Sequence, residues 1–257
     1  MRTRLIIGNW KMHKTASEAA TFVHQLLDLI TPLEKVEVVL APPFTALQAV
    51  AQACRSRPFS LGAQNLFWED RGAYTGEVSP PMLTDLGCRY VIVGHSERRR
   101  LFGELDEGIN KKVHAALRHG LRPILCVGES LPEREAGRTI ALVTGQLQKG
   151  LAALTQAQLA LVTIAYEPLW AIGTGRAASP AQAAEVHQVL HKVIGETGGQ
   201  ETGRQVRILY GGSVTPENAG ALFSEPEVDG ALVGGACLDP YSFAKIIALA
   251  KDSSGTE

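Results

Sequence analysis

A chain of 257 residues, 45% of them hydrophobic, can bury one sizeable core or two small ones. Its 25 basic and 26 acidic side chains leave a net charge of −1, so nothing draws the whole molecule to nucleic acid or an anionic membrane, and any anion site must be local. Cys54, Cys88, Cys126 and Cys237 form no CxxC pair, which argues for reduced thiols over a disulfide framework or zinc site. No apolar run reaches the roughly 20 residues of a membrane span and the N-terminal apolar run is too short for a signal peptide, so a soluble cytoplasmic protein is expected.

A short buried strand is predicted at 5–8, running into Asn9, Trp10, Lys11 and Met12. Ser17 is the expected N-cap of a helix whose apolar stripe uses Ala20, Val23, Leu26, Leu27 and Ile30. A second strand at 36–41 is closed by Pro42 and Pro43, and Thr45 opens the next helix. The third strand, 59–63, leads into a long loop over 64–79 with a glycine-rich tip, and Pro80 begins a short helix. The fourth strand, 90–94, runs into His95, with a helix start at Ser96 and Glu97. A helix over 106–119 is stopped by Gly120, the fifth strand spans 122–127, and 133–154 is mostly helical.

Residues 159–166 form a nearly unbroken apolar run, read as a buried sixth strand that delivers Glu167 at its C-terminal end. Pro168 cannot donate to a sheet ladder and ends it. Trp170, Ile172 and the Gly-Thr-Gly step at 173–175 then place apolar anchors beside flexible joints. Ser179 and Pro180 start a helix to about 195, and 198–205 reads as a polar connector. The seventh strand, 206–210, ends in Gly211, Gly212 and Ser213; the eighth, 228–233, ends in Gly234 and Gly235. A last helix carries Phe243, Ile246, Ile247 and Leu249, and 252–257 is expected to fray. Eight strands alternating with helices, without a dividing linker, imply one α/β domain over 1–257, an eight-stranded parallel (β/α)8 barrel of the usual size of about 250 residues.

In such barrels the residues just after the strands build the active site. Lys11 there is either a solvated surface lysine, a Schiff-base nucleophile, or a fixed charge that attracts an anionic substrate and stabilises an oxyanion; the last is preferred. Its effect depends on seclusion, since two unit charges at about 4 Å interact by ~1 kcal/mol in water and ~4 kcal/mol at an effective dielectric near ~20. His95 is either a core histidine or a neutral imidazole, because the helix start behind it disfavours the imidazolium. Glu167, a rigid carboxylate beside a hinged apolar flap, suits proton transfer shielded from water. The glycines after strands seven and eight are either tight turns or a cradle of N–H groups for an anion. His187 and His191 stand four apart, as in zinc sites, but no Glu follows the first, and they read as solvated histidines of an outer helix.

The chain resembles the triosephosphate isomerase family over essentially its full length. The resemblance rests on Gly-Asn-Trp-Lys-Met at 8–12, Gly-Ala-Gln-Asn at 62–65, Gly-Ala-Tyr-Thr-Gly-Glu at 72–77, Val-Ile-Val-Gly-His-Ser-Glu-Arg-Arg at 91–99, Pro-Ile-Leu-Cys-Val-Gly-Glu at 123–129, the stretch 165–175, Tyr-Gly-Gly-Ser at 210–213 and Gly-Ala-Leu-Val-Gly-Gly-Ala at 230–236. It implies a TIM barrel that interconverts dihydroxyacetone phosphate and D-glyceraldehyde 3-phosphate in glycolysis and gluconeogenesis, without metal or organic cofactor. Glu167 is then the base, His95 the electrophile and proton relay, Asn9 and Lys11 position substrate and stabilise the enediolate, and Glu97 supports Lys11. The N–H groups of Gly173, Ser213, Gly234 and Gly235 would hold the phosphate, and 168–178 would form a lid. A homodimer is implied, with the loop around Thr75 inserted beside the neighbour's site. Departures from the family pattern are His13, the hinge Arg176-Ala177-Ala178 and Cys237. A Schiff-base aldolase and an inactive sugar-phosphate-binding barrel are the rival expectations.

Overall fold

Side chains of alternate residues along each strand face opposite ways, and that alternation sorts this chain into two cores. The computed structural model describes residues 2–30, 33, 35–55, 58–173 and 177–252. Its strands are β1 (Arg4–Asn9), β2 (Val36–Ala41), β3 (Phe59–Ala63), β4 (Cys88–Val93), β5 (Arg122–Val127), β6 (Thr163–Tyr166), β7 (Ile208–Tyr210) and β8 (Gly230–Val233). They pair in chain order, all parallel, and β8 returns to β1 with Leu5 opposite Gly230, closing an eight-stranded barrel. Between and after them come α1 (Ala16–Leu29), α2 (Phe44–Ala53), α3 (Pro80–Asp85), α4 (Ser96–Phe102), α5 (Asp106–Arg118), α6 (Leu131–Glu135), α7 (Thr139–Gly150) and α8 (Gln156–Leu159). The remaining helices are α9 (Pro180–Gly198), α10 (Gln200–Gln205), α11 (Ala219–Phe223) and α12 (Pro240–Asp252).

Leu5, Ile7, Val39, Tyr90, Ile92, Ile124, Ala165, Leu209 and Leu232 form one buried cluster, the filling of the barrel. Their strand neighbours Ile6, Val38, Val91, Leu125, Ile164 and Ala231 join the helices in a second, larger cluster around it. All four cysteines are free and buried, and burial alone pushes the Cys54 thiol up to about 11. Among the described residues no helix is long and apolar enough to cross a membrane.

Several expectations need correction. The cap of α1 is Thr15, not Ser17: its side chain accepts from the Glu18 N–H while Glu18 bonds back to the Thr15 N–H, a reciprocal capping box. The buried face of that helix is accordingly Ala19, Phe22, Val23 and Leu26. The sixth strand begins at Thr163, because Thr155 and Gln158 make a second capping box that turns 156–159 into α8. The polar connector is helical too, as α10 packs on α9 so closely that a side chain at Gly203 would meet the His191 carbonyl at 2.9 Å. Of the stretch 252–257 expected to fray, Asp252 is the last residue of α12 and 253–257 lie outside the described residues.

His187 and His191 are not solvated. The buried face of α9 repeats at three-four spacing through Ala183, Val186, His187, Leu190 and Ile194, so His187 takes a core position and is 0% exposed. Its Nδ1 bonds the Glu227 carbonyl at 2.9 Å, and that of His191 bonds the Gly203 carbonyl at 2.9 Å. Neither belongs to a metal-type cluster among the described residues. Burial pushes the His187 imidazolium down to about 4. The unfolded chain takes up that proton near ~6.5. Stability is therefore full above that value and falls as pH drops towards 4, by about 3 kcal/mol in all. Urea midpoints measured down this range should fall less steeply for His187→Gln than for the parent; equal slopes would remove His187 as the cause.

Candidate active site

The inward alternation of the strands continues past their ends, and this places the site. Leu5 and Ile7 are followed by Asn9 and Lys11, Ala165 by Glu167, Leu209 by Gly211 and Ser213, and Leu232 by Gly234. His95 is out of step with Ile92; Gly94, at φ +71°, makes the left-handed turn that brings its ring inward. Asn9, Lys11, His95, Glu167, Gly173, Ser213, Gly234 and Gly235 line one cavity of about 350 Å³. Of the catalytic and substrate-binding residues that the resemblance implies, only Glu97 stays off its wall, and its Oε1 lies 2.6 Å from Lys11 Nζ.

Lys11 sits in a strained backbone conformation, φ +51°, which for a non-glycine residue costs of order 1–3 kcal/mol. Its N–H donates to Asn9 Oδ1 at 3.1 Å, and Gln64 Nε2 donates to its carbonyl at 2.8 Å. The side chain then passes over Gly234, where an added Cβ would lie 3.5 Å from Lys11 Cε.

His95 caps α4, and its Nδ1 accepts the Glu97 N–H at 3.2 Å. That bond needs the Nδ1 lone pair, so the bonding network assigns the proton to Nε2, 3.0 Å from Glu167 Oε1. Burial, the largest single influence, opposes charging the imidazole, yet the charge and hydrogen bond of Glu167, joined by the charge of Glu97, together raise the proton affinity of His95 above the ordinary. The helix start expected from the sequence therefore does not set the titration; burial and the facing carboxylates do, and their net effect favours the charged ring. Glu167 is 2% exposed, and burial by itself would raise its pKa. His95 and the Ser96 N–H, donating to Oε2 at 2.9 Å, more than reverse this and hold the carboxyl below its usual range.

At the other end of the cavity the N–H groups of Gly173, Gly234 and Gly235 find no protein acceptor among the described residues, while that of Ser213 donates to the Ala171 carbonyl at 3.0 Å. Beyond Glu167 a short turn, Leu169–Ala171, carries Trp170, whose Nε1 donates to Glu129 Oε1 at 3.0 Å. Tyr166 Oη donates to the same oxygen at 3.0 Å, and Arg134 Nη1 at 3.2 Å. The Ala178 N–H donates to Tyr210 Oη at 3.1 Å, so both flanks of the flap are tethered. Thr174, Gly175 and Arg176, in the expected lid and hinge, lie outside the described residues.

The family model for triosephosphate isomerase matches residues 4–250. The chain belongs to the triosephosphate isomerase family. Proteins named triosephosphate isomerase from Chloroflexus aurantiacus and Moorella thermoacetica are each 55% identical to it over 247 residues, 96% of this chain and 99% and 98% of theirs. One from Symbiobacterium thermophilum is 53% identical over 253 residues, 98% of this chain and 99% of its own. Membership of the triosephosphate isomerase family makes the chain an isomerase.

Sequence reasoning missed the part played by Ser96, which bonds Glu167 through its N–H and again through Oγ at 3.3 Å. A signal was available, because N–H groups at a helix start favour anions. His13, noted in the sequence only as a departure from the triosephosphate isomerase pattern, lines the cavity, as does Ile172.

Proposed function

We propose that this isomerase interconverts dihydroxyacetone phosphate and D-glyceraldehyde 3-phosphate through an enediolate, in glycolysis and gluconeogenesis. The observation that carries the reading is the meeting of His95 Nε2 and Glu167 Oε1 at 3.0 Å in the same cavity as Lys11. Glu167 takes the proton from the carbon beside the carbonyl and returns it to the neighbouring carbon. His95, with its proton on Nε2, donates to the developing oxyanion and relays protons between the two oxygens. Asn9 and Lys11 position the substrate and stabilise the enediolate, and Glu97 holds the ammonium in place.

The N–H groups of Gly173, Gly234 and Gly235 grip the phosphate, joined by Ser213 once its bond to Ala171 is released. A phosphate held away from the reacting carbons supplies positioning that can be worth up to ~7–11 kcal/mol. Residues 168–178 act as the lid that excludes water. We read 1–257 as a single cytoplasmic domain that needs no metal or organic cofactor. A coupled assay on glyceraldehyde 3-phosphate, with and without inorganic phosphate as competitor, tests the reaction; no turnover by the folded protein would overturn it.

We also propose a homodimer formed through the loop around Thr75. Supporting it, 71–77 is exposed throughout, and Met12 (93%), Met82 (56%), Phe102 (67%) and Tyr74 (44%) leave large apolar surfaces in water. Sedimentation should give twice the chain mass, falling to one chain mass for Thr75→Arg; a parent that sediments as one chain would refute it.

A further inference from the structure

The geometry points to Gln146, on α7, as a positioning residue for Glu167. The hydrogen-bond ladder between β5 and β6 runs on past both strands: the Glu167 N–H donates to the Val127 carbonyl at 2.8 Å and the Leu169 N–H to the Glu129 carbonyl at 2.9 Å. Gly128 lies between these two acceptors, and its own N–H and carbonyl need partners elsewhere. The neighbouring strand β4 has already ended at Val93. Gln146 fills the place of a strand there. The Gly128 N–H donates to its Oε1 at 2.8 Å, and its Nε2 donates to the Gly128 carbonyl at 3.2 Å. A primary amide offers the same donor and acceptor as a peptide group, so one side chain lengthens the sheet by one residue at the point where Glu167 is held.

Gly128 also presses directly on the Glu167 peptide. A Cβ at position 128 would fall 1.8 Å from the Glu167 carbonyl oxygen, so the two backbones pack with no room between them. Gln146 and Glu167 both border a cavity of about 240 Å³, separate from the site cavity and shared with Ser96, Arg99 and Glu133. Without the amide, Gly128 could relax into that space, and the Glu167 backbone would follow. A carboxylate that must reach a substrate carbon tolerates little such slack, since a displacement of ~1 Å can cost about 10²-fold in rate.

The inference rests on the reading of Glu167 as the base. Its test uses two variants of the full chain. Gln146→Ala should lower kcat by about 10–100-fold while KM and inhibition by inorganic phosphate stay within about twofold, because three of the four phosphate-gripping N–H groups, those of Ser213, Gly234 and Gly235, follow β7 and β8 and the fourth, Gly173, lies six residues beyond Glu167. Gln146→Glu keeps the shape, but when ionised it has no donor for the Gly128 carbonyl, whereas its protonated form has one. Its kcat relative to the parent should therefore rise as pH falls, and the relative kcat of Gln146→Ala should not. A near-normal kcat in Gln146→Ala overturns the proposal, as does a pH-independent ratio in Gln146→Glu or an equal loss of phosphate affinity. Glu167→Gln separates the two readings. If it retains full activity the base assignment fails; if it is inactive while Gln146→Ala is normal, only this inference does.

Discussion

Glu167→Gln should bind substrate as the parent does and lose turnover by about 10²–10⁴-fold, the usual contribution of a general base. The amide is the same size as the carboxylate, so the barrel mouth keeps its packing. Its oxygen can still accept the Ser96 N–H that now bonds Oε2 at 2.9 Å. What disappears is an acceptor able to take a proton from carbon. The His95 Nε2–H also faces an amide in place of the carboxylate oxygen at 3.0 Å. Steady-state kinetics in both directions read the outcome; a near-normal kcat removes Glu167 as the base.

His95→Gln should cost about 10²–10³-fold in kcat, the effect of removing one donor aimed at a developing oxyanion. It carries a second signature. Burial raises the Glu167 pKa, and the imidazole opposes it more strongly than the Ser96 N–H does. Without His95 the carboxyl moves up, so the acid limb of kcat/KM against pH should shift to higher pH. The base works only when ionised, which fixes that sign. A variant with unchanged kcat and an unmoved acid limb would leave His95 no part in the chemistry.

Much of this was legible in the sequence because strands buried on both faces read as apolar runs, and each run ends at a glycine, proline or polar residue that the barrel turns to use. The start of β6 is not legible, because Leu159 to Val162 is as apolar as the strand itself; the capping box at Thr155 and Gln158, beginning four residues before Leu159, decides against a strand there. Helix α10 reads as a connector in the sequence because Gln200–Gln205 carries no apolar stripe, its place being set by close contact with α9. The core position of His187 is legible in the repeat of α9, but its place on an outer helix, away from the strand ends, points the sequence reading to solvent. The partnership of Ser96 with Glu167 spans 71 positions, and that of Gln146 with Gly128 spans 18. Such pairings depend on the closed barrel, and local patterns do not encode them.

The continuation of the strand alternation into Asn9, Lys11 and Glu167 limits how this barrel can change in evolution. Deleting one residue from β6 would swing Glu167 out towards the helices and turn the Tyr166 ring into the hollow, reversing every later position until the next bend. Surface connections on the far rim have no such parity to preserve and are free to grow or shrink. In this architecture the spacing within a strand is inherited as strictly as the chemical groups at its tip.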